Sequence, residues 1–285
     1  MKKVVYLAIT IAVMGALTFF YGVPKTKSSH HSTGINFLKD KDFRIREQIE
    51  AVDFRMLEQV KISGSAQFSK TSLIKILSEI KNAQVDKKHT IVILDLRQEM
   101  HLLGDGKLIN TICEKDWSEI KHKLEFIIKD ENELVQTGVI EREETIAQQL
   151  GLEYLRIPVT DDGIPTEKNI DLLLEFYNKQ TKNDPDAWFH VHCEHGHGRT
   201  TTFMALVHIL NTKGKQKLSQ ILDEQYEKGK IDLSYPPKAK HELKNVELQM
   251  MRFAFLEEFH QYINDEESGF YAGKSWSEWK KMVSE

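Results

Sequence analysis

The chain has 285 residues, enough for one large domain or two small ones with a sizeable core. Composition is that of a globular protein, 40% hydrophobic and 29% charged, and a net charge of −4 excludes the overall basic field of a non-specific nucleic-acid binder. The cysteine count of 2, Cys113 and Cys193, excludes a disulfide scaffold.

At the N-terminus, Lys2 and Lys3 precede an uncharged run from Val4 to Val23. This is the pattern of an export signal or an N-terminal membrane anchor. A run of about 20 apolar residues just spans a bilayer as a helix. The expected setting is periplasmic or secreted, membrane-anchored through residues 4–23 if the signal stays uncleaved. Residues 24–34, PKTKSSHHSTG, read as a flexible linker, so residues 1–34 stand apart from a domain over 35–285.

From Ile62, ISGSAQFSKTSLIKILSEIKNA predicts a short strand, a turn and an amphipathic helix. Thr71 is the expected cap, with Leu73, Ile74, Leu77 and Ile80 on the apolar face. Ile91 to Leu96 is a continuous apolar run, as in a strand buried on both faces. Over 100–140, patches such as KLEFIIKD and ELVQTGVI suggest antiparallel strands outside the main sheet. EREETIAQQLGLEYLRIPV predicts a helix ended by Gly151 and then a strand. Thr166 is expected to cap a helix through about Thr181, with Ile170, Leu173, Leu174 and Tyr177 inward. Strand AWFHVH, a loop and helix RTTTFMALVHIL follow, then two helices near 216–229 and 240–264. Strands alternating with helices predict an α/β layered fold with a largely parallel sheet.

The loop from Cys193 to Arg199, CEHGHGR, joins a strand to a helix. In α/β sheets ligands bind beyond the carboxyl ends of strands, and a helix N-terminus presents unpaired N–H groups and positive dipole. An anion is the expected guest. Gly196 and Gly198 let successive N–H groups converge on it. Arg199 adds a planar fork that matches two phosphate oxygens. The same field favours an ionised sulfur at Cys193, a nucleophile aimed at phosphorus. Thr200 is placed to hydrogen-bond that sulfur and help it leave. The leaving oxygen needs a proton, and the turn-rich stretch VTDDGIPT offers Asp161, the preferred general acid, and Asp162 as its alternative. The strand order is expected to bring this stretch to the sheet edge of Cys193.

Cys-x5-Arg followed by Thr is the signature loop of protein tyrosine phosphatases. HCEHGHGRTTTFM resembles most closely the HCEAGxGRTT loop of the bacterial cysteine phytases, the tyrosine-phosphatase-like inositol phosphatases. ISGSAQFS at 62–69, DLRQE at 95–99 and YLRIPVTDDGIPT at 154–166 resemble the same family. The resemblance places the general acid in a TDH sequence that maps onto Thr160, Asp161 and Asp162, which supports Asp161. It implies a tyrosine-phosphatase core with a small β-rich accessory subdomain over about 100–140. It also implies cofactor-free, metal-free removal of phosphates from a small-molecule polyphosphate, inositol hexakisphosphate and its lower homologues. The loop residues Glu194, His195, Gly196, His197 and Gly198 would face the substrate, with Asp162 beside them. Arg97 and His101 are candidates for further cationic contacts, and Asp95 for orienting a neighbour. His195, His197 and Asp162 depart from the family pattern; imidazoles at the mouth suit polyanions in mild acid. Protein tyrosine or dual-specificity phosphatase and phosphoinositide phosphatase remain the alternatives.

Two other readings fit less well. Zinc held by His190, His192, His195, His197 and Cys193 would require residues on opposite strand faces to converge. GFYAGKS at 269–275 is one residue short of a nucleotide-binding loop and follows a helix.

Overall fold

The computed structural model describes residues 45–47, 53–84, 88–98, 102–104, 106–111, 124–129, 135–237 and 246–284. The N-terminal apolar run, the linker, His101 and Cys113 lie outside the described residues. Among the described residues, no helix is long and apolar enough to cross a membrane.

The main sheet has five strands: β2 (Arg55–Leu57), β3 (Ile62–Ser65), β4 (Ile91–Asp95), β9 (Glu153–Arg156) and β10 (Trp188–His192), in the order β2-β3-β10-β4-β9. β2 is the antiparallel edge and the other strands run parallel. Their register is the feature that makes a site. Ser65 pairs with His192, His192 with Asp95, and Asp95 with Arg156. The parallel strands therefore end at one level, and the loops after them open on one edge.

β4 and β10 are buried along their whole length. Alternate residues serve opposite faces, as the strand period requires. Ile91, Ile93 and Trp188 pack with α1 (Lys70–Ala83) and α2 (Glu143–Gln149) on one side. Val92, Leu94, Phe189 and Val191 pack on the other side with α3 (Glu167–Asn183), α4 (Gly198–Asn211), α5 (Leu218–Gly229), α6 (Val246–Asn264) and α7 (Trp276–Ser284). Helices thus cover both faces of a mostly parallel sheet. α4 is buried from Arg199 to Leu210, which suits a helix apolar nearly all round.

The helix starts have local causes. Thr166 Oγ1 accepts from the N–H of Asn169 while Asn169 Oδ1 accepts from the N–H of Thr166, a reciprocal cap that starts α3. α1 corrects the expected boundary: Ser69, not Thr71, is the cap, and its side chain accepts from the N–H of Ser72. The inward stripe is then Leu73, Ile76, Leu77 and Ile80, and Ile74 is 51% exposed. An i, i+3, i+4, i+7 stripe starting at residue 73 passes through 76 and leaves 74 a quarter-turn away.

α7 was not anticipated. Trp276 and Trp279 stack on each other and pack against Tyr262 of α6, and Trp279 Nε1 donates to Asp265. The GFYAGKS stretch lies between α6 and α7 as a short 3-10 turn, Phe270–Ala272, capped by Gly273.

A second five-stranded sheet is antiparallel throughout, in the order β1-β6-β5-β8-β7. It comprises β1 (Ile45–Glu47), β5 (Leu102–Gly104), β6 (Lys107–Thr111), β7 (Leu124–Lys129) and β8 (Val135–Arg142). Gly106, at φ 79°, closes the β5–β6 hairpin, and its carbonyl accepts from the N–H of Lys70 at the start of α1. β1 enters this sheet from a charged stretch that carried no strand pattern.

The buried stripe of α1 yields a direct contrast. Ile76→Ala should lower the unfolding free energy by about 2–4 kcal/mol, and Ile74→Ala by no more than about 0.5 kcal/mol, in urea titrations. Equal costs at the two positions would contradict this packing.

Candidate active site

Cys193 follows the end of β10 and is 2% exposed, its side chain on the α4 face of the sheet. Its sulfur accepts from the Gly196 N–H at 3.3 Å and from the Thr200 hydroxyl at 3.1 Å. The chain between them turns back through Gly196, at φ 77°, into the first turn of α4. A side chain at 196 would also be blocked: a Cβ there would lie 2.5 Å from the Ala66 nitrogen. Glycine is thus required twice, by conformation and by contact. The SGSAQ stretch lies beneath. The Gln67 N–H donates to the Glu194 carbonyl at 3.1 Å, and Arg97 holds the Gln67 side chain through Oε1.

Arg199 lies in the first turn of α4, and its fork reaches the loop after β9. Nη1 donates to the Val159 carbonyl at 3.2 Å and Nη2 pairs with Asp161 at 2.8 Å. Asp161 is held by a turn in which the Gly163 N–H donates to the Thr160 carbonyl at 3.0 Å, with Asp162 at φ 51°. The Gln98 side chain, beyond β4, accepts from the Asp161 N–H at 3.4 Å. A carboxyl group 61% open to solvent therefore stands against a guanidinium at the start of the helix that follows the Cys193 loop. His195 and His197 are exposed at the rim, and His197 Nε2 lies 3.7 Å from Asp53.

Asp95, expected to orient a neighbour, and Arg97, a candidate cationic contact, are both fully buried, and the Arg97 guanidinium is engaged with Gln67. Asp95 accepts from the Tyr154 hydroxyl at 2.9 Å and from the Arg97 N–H at 2.9 Å, and stands 3.7 Å from His192 Nε2. These residues tie strand ends together beneath the loop.

Two arginines escaped the sequence reading. Arg55, on β2, is buried and donates through Nη2 to the Gly196 carbonyl at 2.7 Å and to Thr201 Oγ1 at 2.9 Å. Burial works against its charge, and the nearby charges of Asp53 and Cys193 offset part of that. Arg252, on α6, lies over the loop: a Cβ on Gly198 would meet its Nη1 at 2.3 Å. Neither arginine belongs to a spaced motif, so no pattern in the chain marks them.

His190 and His192 point to the α1 and α2 side, away from Cys193, which disposes of a five-residue zinc cluster. His190 Nδ1 and Nε2 lie 2.9 and 3.1 Å from the Ser63 and Ser65 hydroxyls. His192 Nε2 is 2.9 Å from Glu143. Ligand atoms of Asp95, Glu143 and His192 all lie within 4.8 Å of one another, close enough to hold a cation. Burial pulls His192 down, but Glu143 and Asp95 overcome it, and the net direction is up, toward the charged imidazole that would itself complement the two carboxylates. His190 goes the other way. Burial, with the neighbouring His192 charge, pushes it down to about 3.

These opposed shifts have opposite pH signs. In the unfolded chain His190 takes a proton near 6.5, but in the folded chain only near about 3. Its neutral packing thus contributes stability that is complete above pH 6.5 and lost as pH falls toward 3. The His192 contribution is complete in acid and lost as pH rises through its raised value. His190→Asn should therefore remove up to about 1.4 kcal/mol per pH unit from the acid-side slope of unfolding free energy. Urea unfolding from pH 7 downward measures that slope, and an unaltered slope in the variant would refute the buried neutral state.

The family model described as PTP-like phytase, inositol hexakisphosphate, matches residues 76–211. Mouse (Mus musculus) paladin is 27% identical over 210 residues, covering 65% of this chain and 24% of paladin. The curated relatives are longer proteins, of which the chain spans between 10% and 53%. Among solved structures, a PTP-like phytase from Bdellovibrio bacteriovorus superposes with a TM-score of 0.61 at 26% identity, over 81% of this chain and 89% of that one. The PTP-like myo-inositol phosphatase from Mitsuokella multacida, solved with myo-inositol-(1,3,4,5)-tetrakisphosphate, gives 0.59 at 24% identity, over 84% and 45%. Family profile, sheet topology and the cysteine loop at the strand ends agree: over residues 76–211 the chain is similar to the protein-tyrosine-phosphatase-like phytases, and it shares the fold of the Bdellovibrio enzyme.

Proposed function

We propose that the chain hydrolyses phosphate monoesters of inositol polyphosphates through a cysteinyl-phosphate intermediate. The observation that carries this reading is the arrangement around one sulfur. Cys193 Sγ is met by the Gly196 N–H and the Thr200 hydroxyl, while Arg199, one turn away, shares its fork with Asp161.

In the first step Cys193 Sγ attacks phosphorus, the S–P bond forms and the bond from phosphorus to the leaving oxygen breaks. Arg199 and the loop N–H groups hold the non-bridging oxygens, where charge builds up. The Asp161 carboxyl gives its proton to the leaving oxygen. In the second step Asp161, now a carboxylate, takes a proton from water as the water oxygen attacks phosphorus. The S–P bond breaks, inorganic phosphate leaves, and the Thr200 hydroxyl hydrogen-bonds the departing thiolate. An arriving phosphate competes with Asp161 for the Arg199 fork, which frees the carboxyl group to face the leaving oxygen.

Several features support a polyphosphate ring as substrate. The matched family is described by inositol hexakisphosphate, and the Mitsuokella neighbour was solved with an inositol tetrakisphosphate. The rim of this loop also carries more titratable side chains than one phosphate needs: His195 and His197 stand exposed beyond Arg199. Glu194, His195, Gly196, His197 and Gly198 are the loop residues assigned to the substrate, with Asp162 next to the acid. The lysine-led apolar run at residues 2–23 supports placing this chemistry outside the cytoplasm.

Cys193→Ser should abolish phosphate release from inositol hexakisphosphate, and persistence of turnover in that variant would refute the nucleophile. Asp161→Asn should lower kcat by roughly 10²- to 10⁴-fold. A collapse in Asp162→Asn with near-normal Asp161→Asn would transfer the acid role to Asp162. Comparing kcat/KM on inositol hexakisphosphate and on a phosphotyrosyl peptide tests the substrate class; a preference for the peptide would assign the site to protein substrates.

A further inference from the structure

Arg252 is not in the phosphate loop or in the loop that carries the carboxyl group, yet it touches both. The Arg252 guanidinium lies against Gly198: a Cβ added there would fall 2.3 Å from Nη1, 2.6 Å from Cζ and 2.7 Å from Nη2. The absence of a side chain at 198 is what admits it. From that position Nη2 reaches the Gly163 carbonyl at 3.4 Å. Gly163 closes the turn that presents Asp161, through its N–H to the Thr160 carbonyl at 3.0 Å. The two loops come from separate strand-to-helix crossovers, and Arg252 enters from a third element, α6.

We propose that Arg252 is a positioning residue, whose guanidinium braces the Asp161 turn against the phosphate loop and so sets where the acid meets the leaving oxygen. The surrounding charges make the placement tenable. Burial and the like charge of Arg199 oppose the Arg252 charge, while Asp162, Cys193 and Asp161 favour it. Arginine suits the task better than lysine. A planar fork can lie flat on a glycine and still direct one N–H at a carbonyl, whereas an ammonium is a point donor. Asp161 is largely open to solvent, so protein contacts to its turn decide how often it stands in place. The role rests on the phosphatase reading above.

Such a brace should matter in proportion to how much the reaction needs the acid. Removing a phosphate from an inositol hydroxyl requires a proton on the leaving oxygen; p-nitrophenolate leaves readily without one. The experiment measures kcat and KM for wild type, Arg252→Gln, Arg252→Lys and Asp161→Asn on inositol hexakisphosphate and on p-nitrophenyl phosphate, with Tm for each protein. Arg252→Gln should lower kcat on the inositol substrate by about 10- to 100-fold, the scale expected for a misplaced catalytic group, and by much less on the aryl substrate. Asp161→Asn should show the same selectivity, and adding Arg252→Gln to it should cost little more, because the two act through one group. Arg252→Lys should recover only part of the loss. An equal loss on both substrates, with or without a lowered Tm, would overturn the positioning role. So would a rise in KM with kcat intact, which would make Arg252 a substrate contact. Wild-type protein that releases no phosphate from either substrate would instead overturn the phosphatase reading itself.

Discussion

Cys193 Sγ accepts from one backbone N–H and one hydroxyl, and much of the surrounding structure keeps those two donors aimed. Gly196 can present its N–H only because it adopts a left-handed conformation pressed against the Ser65–Ala66 backbone. Its carbonyl, turned outward by that conformation, is held by Arg55 from the edge strand. Arg55 also binds Thr201, whose hydroxyl donates to the His197 carbonyl one turn back, so the loop is fixed from outside as well as from below. A left-handed residue pressed onto another backbone is a poor conformation for a free chain, and it persists only where neighbours over-determine it.

The sheet supplies the platform. Strand ends at Ser65, His192, Asp95 and Arg156 stand in register, so the segments that follow them meet at one edge. Beneath that edge the two faces of β10 do different work. Cys193 and Val191 face the helices that carry Arg199 and Arg252, while His190 and His192 face a buried polar layer. In that layer one imidazole is neutral between two serines and the next is drawn toward charge by Glu143 and Asp95. Two residues apart on one strand and equally buried, they are shifted in opposite directions by their partners. Asp95 also gathers Tyr154 and the Arg97 backbone, which binds β9 and the end of β4 into the same layer. Burial, followed by Asp95 and Glu143, pushes Tyr154 well up, so its hydroxyl remains a donor.

Electrostatically the site is a set of opposed charges awaiting a guest. Arg199 is occupied by Asp161, Arg252 lies near both aspartates, and Asp53 stands by His197. On the proposed reading, an incoming phosphate would replace carboxylate contacts with its own oxygens, so anion binding and the release of Asp161 would be one event. The protein thereby avoids holding unpaired guanidinium groups in a half-buried cleft, where desolvation would oppose them.

How much of this could be read in the chain follows from the range of each interaction. Local order was legible. The Thr166 cap, Gly151 as a helix terminator, the doubly buried runs of β4 and β10, and Cys-x5-Arg at a strand-to-helix junction all involve residues within a few positions of one another. The strand period alone separates His192 from Cys193, and the order of strands and helices implies a parallel sheet with a site at its carboxyl edge. What needed the tertiary structure was whatever joins distant segments. Ile74 and Ile76 are equally apolar, and only the surface α1 packs on distinguishes them. Arg97 reads as a cation beside a motif until its burial is seen. Arg55 and Arg252 lie far in sequence from Gly196 and Gly198, and charge on a strand edge or a helix carries no label of what it touches. By itself the sequence determined the fold class and the Cys193–Arg199 loop at a strand-to-helix junction, because covalent neighbours and strand and helix periods dictate them. The tertiary structure decided which cations reach that loop and which carboxylates are buried, because those depend on packing between elements that sequence order does not encode.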